Sequence, residues 1–286
     1  MRRLRLDLEY EGTRYHGWQI QPNAPTIQEC VERALRIVLN EPCRVVGAGR
    51  TDAGVHAVGQ VAHFETDRAI PASALLRALN SLLPPDIAVR EIREVPETFH
   101  ARKSAVRKRY VYWILNDPRR SALWDRFCWH VPAPVDLSAM EAAAAFLIGR
   151  HDFSSFRASG CESGDNPVRE IELLRVEPLE GSFVRISVEA ASFLRHMVRN
   201  MVGTLVEVGL GRIGVDDVPV ILEARDRRRG GRAAPGRGLF LEWVCYERTL
   251  QDRPEDSSSA MFGGPGGMRG RRRVFCTGVD FSRRSG

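Results

Sequence analysis

The sequence predicts an α+β fold built as two α/β halves, each an antiparallel sheet with helices on one face. Three observations lead there. Leu4, Leu6, Leu8 and Tyr10 alternate with Arg5, Asp7 and Glu9, which is the period of a half-buried antiparallel strand. Thr26-Ile27-Gln28-Glu29 has the spacing of a capping box, and Val31, Leu35, Val38 and Leu39 follow it at helical period. The order strand, helix, strand, strand, helix, strand then fills the first half, and the second half repeats that grammar without a residue-level repeat.

Each element has a local reason. The first helix ends before Pro42, and a short strand follows near 44–46. The segment 47–59 is irregular, with three glycines within 47–57, and a strand at 60–65 comes next, with Val61, His63 and Glu65 alternating with Ala62 and Phe64. Pro71 opens a second helix with Leu75, Leu76, Leu79 and Leu83 on one side, stopped by Pro84-Pro85. A strand at 87–95 closes the half. In the second half a strand covers 107–115, and Ser138-Ala139-Met140-Glu141 reads as another capping box opening a helix to Ile148, with Gly149 as its stop. Strands at about 169–178 and 183–190 precede a helix over about 193–208, a shorter one at 217–224 and a last strand at 238–246. The expected organisation is 1–105, carrying the glycine-rich loop, 106–250, and a tail at 251–286. Ser257-Ser258-Ser259, Gly263-Gly264-Pro265-Gly266-Gly267 and Arg271-Arg272-Arg273 give that tail a disordered, basic character.

The chain has 286 residues, 43% hydrophobic and 27% charged, enough for one large core or two modest ones. Its apolar runs fall short of the roughly 20 residues of a membrane-spanning helix, and the first residues show no secretory pattern, so a soluble cytoplasmic protein is expected. The six cysteines have no C-x-x-C spacing and read as small buried hydrophobes. A net charge of +6 invites a nucleic-acid partner. All but two of the 42 basic residues, Lys103 and Lys108, are arginine, a skew that a GC-rich genome produces regardless of function.

The loop Gly47-Ala48-Gly49-Arg50-Thr51-Asp52-Ala53-Gly54-Val55-His56-Ala57 lies between predicted strands and can approach a ligand closely. Asp52 is the only carboxylate between Glu41 and Glu65. By spacing it reads either as a turn residue bonding its own backbone or as a reactive carboxylate. Lys108, Tyr110 and Tyr112 share one face of their strand. Arg199 borders the apolar stripe Leu194, Met197, Val198, Met201, Val202 and Leu205, where it serves either as a surface cation or as the partner of a carboxylate. His56 and His63 have no triad partner in view and read as structural.

The run Gly49-Arg50-Thr51-Asp52-Ala53-Gly54-Val55-His56-Ala57 through Phe64 resembles the catalytic signature of the tRNA pseudouridine synthases of the TruA family. The likeness continues in Tyr10 to Gln19, Phe99-His100-Ala101-Arg102, Lys108 to Tyr112, His151 to Phe156, Met197 to Gly203 and Gly238 to Leu241, covering residues 3 to 247. It implies the pseudouridine synthase fold, its two halves framing a central cleft. It also implies isomerisation of uridine to pseudouridine in the anticodon stem-loop of tRNA, at positions 38–40, by a homodimer with no cofactor and no catalytic metal. Asp52 matches the essential aspartate, which attacks the ribose or removes a ribose proton. Tyr110 matches the tyrosine that stacks on the target uracil, Arg199 the arginine that holds the aspartate charged, and Arg50 a side chain that helps hold the opened stack. One segment departs from the family pattern. Arg228 to Arg237 stands where a Gly-Pro-Thr-Ala-Pro-like stretch is usual, and RNA contact is expected there. The rival readings are a non-catalytic RNA-binding or RNA-folding protein of the same fold, which would be free to lose Asp52, and a hydrolase, which would need a second group to activate water.

Overall fold

A computed structural model describes residues 1–158 and 166–246; the expected tail at 251–286, Cys161 and Cys276 lie outside the described residues. The elements in order are β1 (Arg2–Tyr10), α1 (Ile27–Leu39), β2 (Val46–Gly47), β3 (His56–Thr66), α2 (Ala72–Leu82), β4 (Ile87–Val95), β5 (Arg107–Leu115), β6 (Trp129–His130), α3 (Leu137–Ala145), β7 (Gly149–Asp152), β8 (Val168–Leu179), β9 (Phe183–Ala190), α4 (Met197–Gly209), α5 (Asp217–Ala224) and β10 (Leu239–Cys245). The fold is the α+β class that the alternation of strand and helix patterns predicts.

The two halves share a single sheet rather than carrying one each. Its order is β4-β1-β3-β10-β5-β9-β8-β7, with β2 on β3 and β6 on β5. The joint is β10, the last strand of the chain. It runs antiparallel to β5 and parallel to β3, pairing Phe240 with His56 and Leu241 with Ala57. All other pairs are antiparallel except β5 with β6. One apolar face runs the width of the sheet, from Leu4, Leu6 and Leu8 through Leu241, Tyr110 and Tyr112 to Ile186 and Val188, and joins the helices in one core. The opposite face carries ion pairs, partly buried in Arg5 with Asp7 at 2.7 Å and Arg185 with Glu177 at 2.9 Å, and buried in Arg109 with Glu189. Taking one partner from such a pair leaves a buried charge uncompensated.

The boundaries of β4, β5, β9 and α5 fall where the sequence places them, and α1 begins as predicted: the Thr26 hydroxyl accepts the Glu29 N–H. Other boundaries differ: β2 is Val46–Gly47, α3 ends at Ala145 rather than Ile148, and three starts move for identifiable reasons. β3 starts at His56 instead of residue 60, because pairing with β10 extends it backwards into the loop. α3 is capped by Asp136, whose carboxylate accepts the Ala139 N–H at 3.0 Å, so the Ser138 box does not open it. α4 starts at Met197 rather than 193, because His196 takes a left-handed conformation (φ 62°) that no helix interior accepts. The short strands β6 and β7 had no local signal. Cys30, Cys128 and Cys245 are buried as expected, and Cys43 is partly so. Among the described residues no helix is long and apolar enough to cross a membrane.

Candidate active site

The loop between β2 and β3 is held from three sides. Beneath it, Gln60 on β3 donates to the Gly49 carbonyl at 2.9 Å and, more weakly, to the Tyr10 hydroxyl at 3.4 Å, and Tyr10 bonds the Thr51 hydroxyl at 2.8 Å. Burial pushes the Tyr10 phenol up to about 12, so it stays protonated in this network. On one flank the segment after β1 lies against the loop: the Trp18 N–H donates to the Thr51 carbonyl and the Gly54 N–H to the Tyr15 carbonyl. Gly17 permits that approach, since its φ is +89° and a Cβ would lie 2.4 Å from the Thr51 carbonyl oxygen. On the third side His56 ties the start of β3 in place. Its Nδ1 accepts the Gly12 N–H at 3.0 Å, leaving Nε2 to donate to the Arg126 and Arg237 carbonyls, and burial lowers its pKa. His63 is equally structural. It accepts the Ala101 N–H at 3.1 Å and is pushed down to about 4 by burial, with His100 and Arg3 adding to the effect.

Asp52 projects from this scaffold with 23% of its side chain exposed. The turn is made by its carbonyl, which accepts the Val55 N–H at 3.1 Å, and the carboxylate is directed elsewhere. Arg199, on the first turn of α4, donates from Nη1 to Asp52 Oδ2 at 3.2 Å. Those two residues are 147 positions apart in sequence and come from opposite halves. Arg199 is itself gripped: its Nε donates to the Ala234 carbonyl at 2.7 Å, and the Ala234 N–H returns a bond to the Arg199 carbonyl at 2.9 Å. The 230–235 segment reaches α4 because Gly203 has no side chain; a Cβ there would lie 1.7 Å from the Arg232 carbonyl oxygen. The stretch that departs from the family pattern thus has a defined task in the interior. Gly231 bonds the Thr204 hydroxyl, and the Pro235 carbonyl takes the Tyr112 hydroxyl at 2.8 Å.

Tyr110 lies on the same side of the sheet, its ring edge-on to Phe193 at 5.1 Å between centroids and only 7% exposed. Its hydroxyl and the Lys108 side chain flank Gly49, which places the ring beside the Asp52 loop. Burial raises its phenol pKa, and the Tyr10 and Asp52 charges add to the shift. Arg50 is exposed and, among the described residues, makes no hydrogen bond or ion pair. The structure therefore brings Asp52, Arg199 and Tyr110 together and leaves Arg50 at the rim.

Two further side chains lie beside Asp52 and Tyr110: Lys108, which the sequence places on the face of Tyr110 without a role, and His196, which it did not single out. Lys108 sits under the loop with its ammonium on the Ala191 carbonyl at 3.1 Å, and burial, with Arg102 adding, pushes it down to about 8. His196 places Nε2 3.6 Å from Asp52 Oδ2. Its signal in the sequence is the spacing of three to Arg199, obscured by the apolar pattern at Phe193 and Leu194 that continues the helix through it. Among the described residues no group of three or more His, Cys, Asp or Glu is placed to hold a metal ion.

The site thus sets a partly exposed carboxylate on a glycine-rich loop against a pinned guanidinium, beside a buried tyrosine. The family model described as tRNA pseudouridine synthase matches residues 8–102 and 143–247. The chain belongs to the tRNA pseudouridine synthase family. It is 51% identical over 246 residues to tRNA pseudouridine synthase A of Myxococcus xanthus, covering 86% of this chain and 92% of that one. It is 47% identical over 246 residues to the protein of the same name from Thermoanaerobacter sp. (strain X514), covering 86% of this chain and all of that one. A third relative of that name, from Syntrophotalea carbinolica, is 48% identical over 243 residues. As a member of this family the chain is an isomerase that converts uridine to pseudouridine.

Proposed function

We propose that this chain isomerises uridine at positions 38–40 of the anticodon stem-loop of tRNA, with Asp52 as the reacting carboxylate, acting in the cytoplasm as a homodimer. The observation that carries the reading is the Asp52–Arg199 pair, formed across the two halves and held by the Ala234 clamp. Arg199 complements the negative charge of the carboxylate and fixes its position. Tyr110 offers a ring to a base that has left the helical stack, a step costing a few kcal/mol. Arg50, exposed at the rim, is the side chain that helps hold the opened stack. A second subunit gripping the body of the tRNA would steady a target base deep in the first.

Isomerisation does not change mass, so the test is carbodiimide labelling of tRNA after incubation with the purified chain, read as stops in primer extension. Wild type should mark one or more of positions 38–40. Asp52→Asn should form no pseudouridine while binding tRNA within about tenfold of wild type, because it keeps shape and most phosphate contacts. Turnover by Asp52→Asn above a few per cent of wild type removes the carboxylate from the reaction. Label at other positions removes the stem-loop assignment. Light scattering at working concentration decides the dimer.

A further inference from the structure

His196 is a strange residue to find at a helix start. It occupies the left-handed region at φ 62° and ψ 0°, which few residues other than glycine adopt, and its imidazole does not cap α4. The ring is aimed instead at the Asp52 carboxylate, with Nε2 3.6 Å from Oδ2. Arg199 meets that same oxygen at 3.2 Å from Nη1. His196 is the residue before α4 and Arg199 lies in its first turn, and the two converge on one carboxylate oxygen. Among the described residues both contacts of the carboxylate fall on Oδ2, and no hydrogen bond reaches Oδ1.

We infer that His196 is a positioning residue, which donates from Nε2 to Asp52 Oδ2 alongside Arg199 and so turns Oδ1 to the cleft as the oxygen that reacts. The inference rests on Asp52 being the reacting carboxylate. A contact of 3.6 Å lies just outside hydrogen-bond length, and catalytic contacts of this kind shorten when substrate fills the site. The surroundings keep the imidazole neutral near pH 7. Burial lowers its pKa most, Asp52 pulls it up, and Arg199, Arg195 and Arg227 push it down. A neutral ring donates without adding a second cation to Oδ2. Protonation at low pH would strengthen the pull on the carboxylate and lower its basicity, so the rate should fall with pH as His196 titrates.

The test uses the full chain with anticodon stem-loop tRNA under single-turnover conditions, beside Asp52→Asn. His196→Gly suits the left-handed backbone and removes the ring; its tRNA Kd should stay within about threefold of wild type while its rate falls at least tenfold. His196→Gln carries an amide donor of similar reach that does not titrate. It should recover at least a third of the wild-type rate, and its rate profile should show one acid-side ionisation fewer than that of wild type. The inference is overturned if His196→Gly reacts as fast as wild type, if His196→Gln is as slow as His196→Gly, or if the acid limb of His196→Gln is the same as that of wild type. The last readout stands even where the glycine variant fails to fold. An active Asp52→Asn would overturn the proposed function instead, so the two failures are distinct.

Discussion

Helices α1 and α4 are both 13 residues long, and they begin in opposite ways. At the start of α1, Thr26 in extended conformation turns its hydroxyl back onto the Glu29 N–H, and the helix then alternates a buried face with exposed Arg33, Arg36 and Ile37. At the start of α4 the residue in the corresponding place is left-handed, leaves the helix uncapped, and points at Asp52. All of α4 is buried except Arg199 and Glu207, so packing on every side sustains a helix whose first turn has been given over to the carboxylate. The comparison separates two uses of a helix terminus. One secures the helix; the other relies on tertiary burial for stability and frees the terminus for chemistry.

That division predicts that equivalent changes at the two termini will be read by different instruments. The largest effect is expected from Arg199→Lys. An ammonium is a single point charge and cannot reach the Ala234 carbonyl and Asp52 Oδ2 together as the guanidinium fork does. The single-turnover rate should fall about 100-fold, or about 2.7 kcal/mol, while the melting temperature moves by no more than about 2 °C, since Arg and Lys have similar helix propensities. Arg36→Lys in the last turn of α1 is the control and should change neither quantity. A lysine at 199 that reacts at the wild-type rate would break the comparison on the α4 side.

The middle effect lies in α1. Thr26→Ala removes the cap of a fully buried threonine and should cost about 1–2 kcal/mol, lowering the melting temperature by roughly 2–8 °C in a domain of this size. Its single-turnover rate should equal that of wild type. A slowed chemical step in Thr26→Ala, with stability intact, would show that α1 also feeds the site, through the Gln28 N–H that bonds the Trp18 carbonyl next to the loop.

The same contrast explains what was legible in the sequence. The start of α1 was, because a cap and its helix are four neighbouring residues, and so were β4, β5 and β9, whose patterns are local. The start of β3 at His56 was not. It depends on Phe240, 184 positions away along the chain, arriving beside it as a parallel partner. The single sheet escaped for the same reason, since only the last strand joins the halves. In the site, Asp52, Tyr110 and Arg199 stood out because motifs are written in side chains. The Ala234 carbonyl that pins Arg199 did not, since every residue has a carbonyl and only the fold selects one. His196 was hidden by its neighbours: Phe193 and Leu194 extend the apolar period of α4 upstream, and a helical pattern cannot show that the backbone between has turned left-handed.

The smallest effect should come from the other left-handed position at these helices that is not a glycine. Asn40 follows α1 with φ 52° and ψ 39° and is exposed. Asn tolerates this region because its short amide bonds locally, and glycine tolerates it because it lacks a Cβ. Asn40→Gly therefore exchanges a slight backbone strain for a slightly larger loss of chain entropy on folding, and the two nearly cancel, at about 0.5 kcal/mol or less. Thermal melts should shift by no more than about 2 °C and the single-turnover rate should not move at all. His196→Gly makes the same backbone exchange at the head of α4, and there the rate should fall at least tenfold. Had the left-handed conformation itself been what the site needs, glycine would serve at both places; a rate that drops only at 196 assigns the need to the imidazole. Equal rates in the two glycine variants would erase the distinction between the termini of α1 and α4.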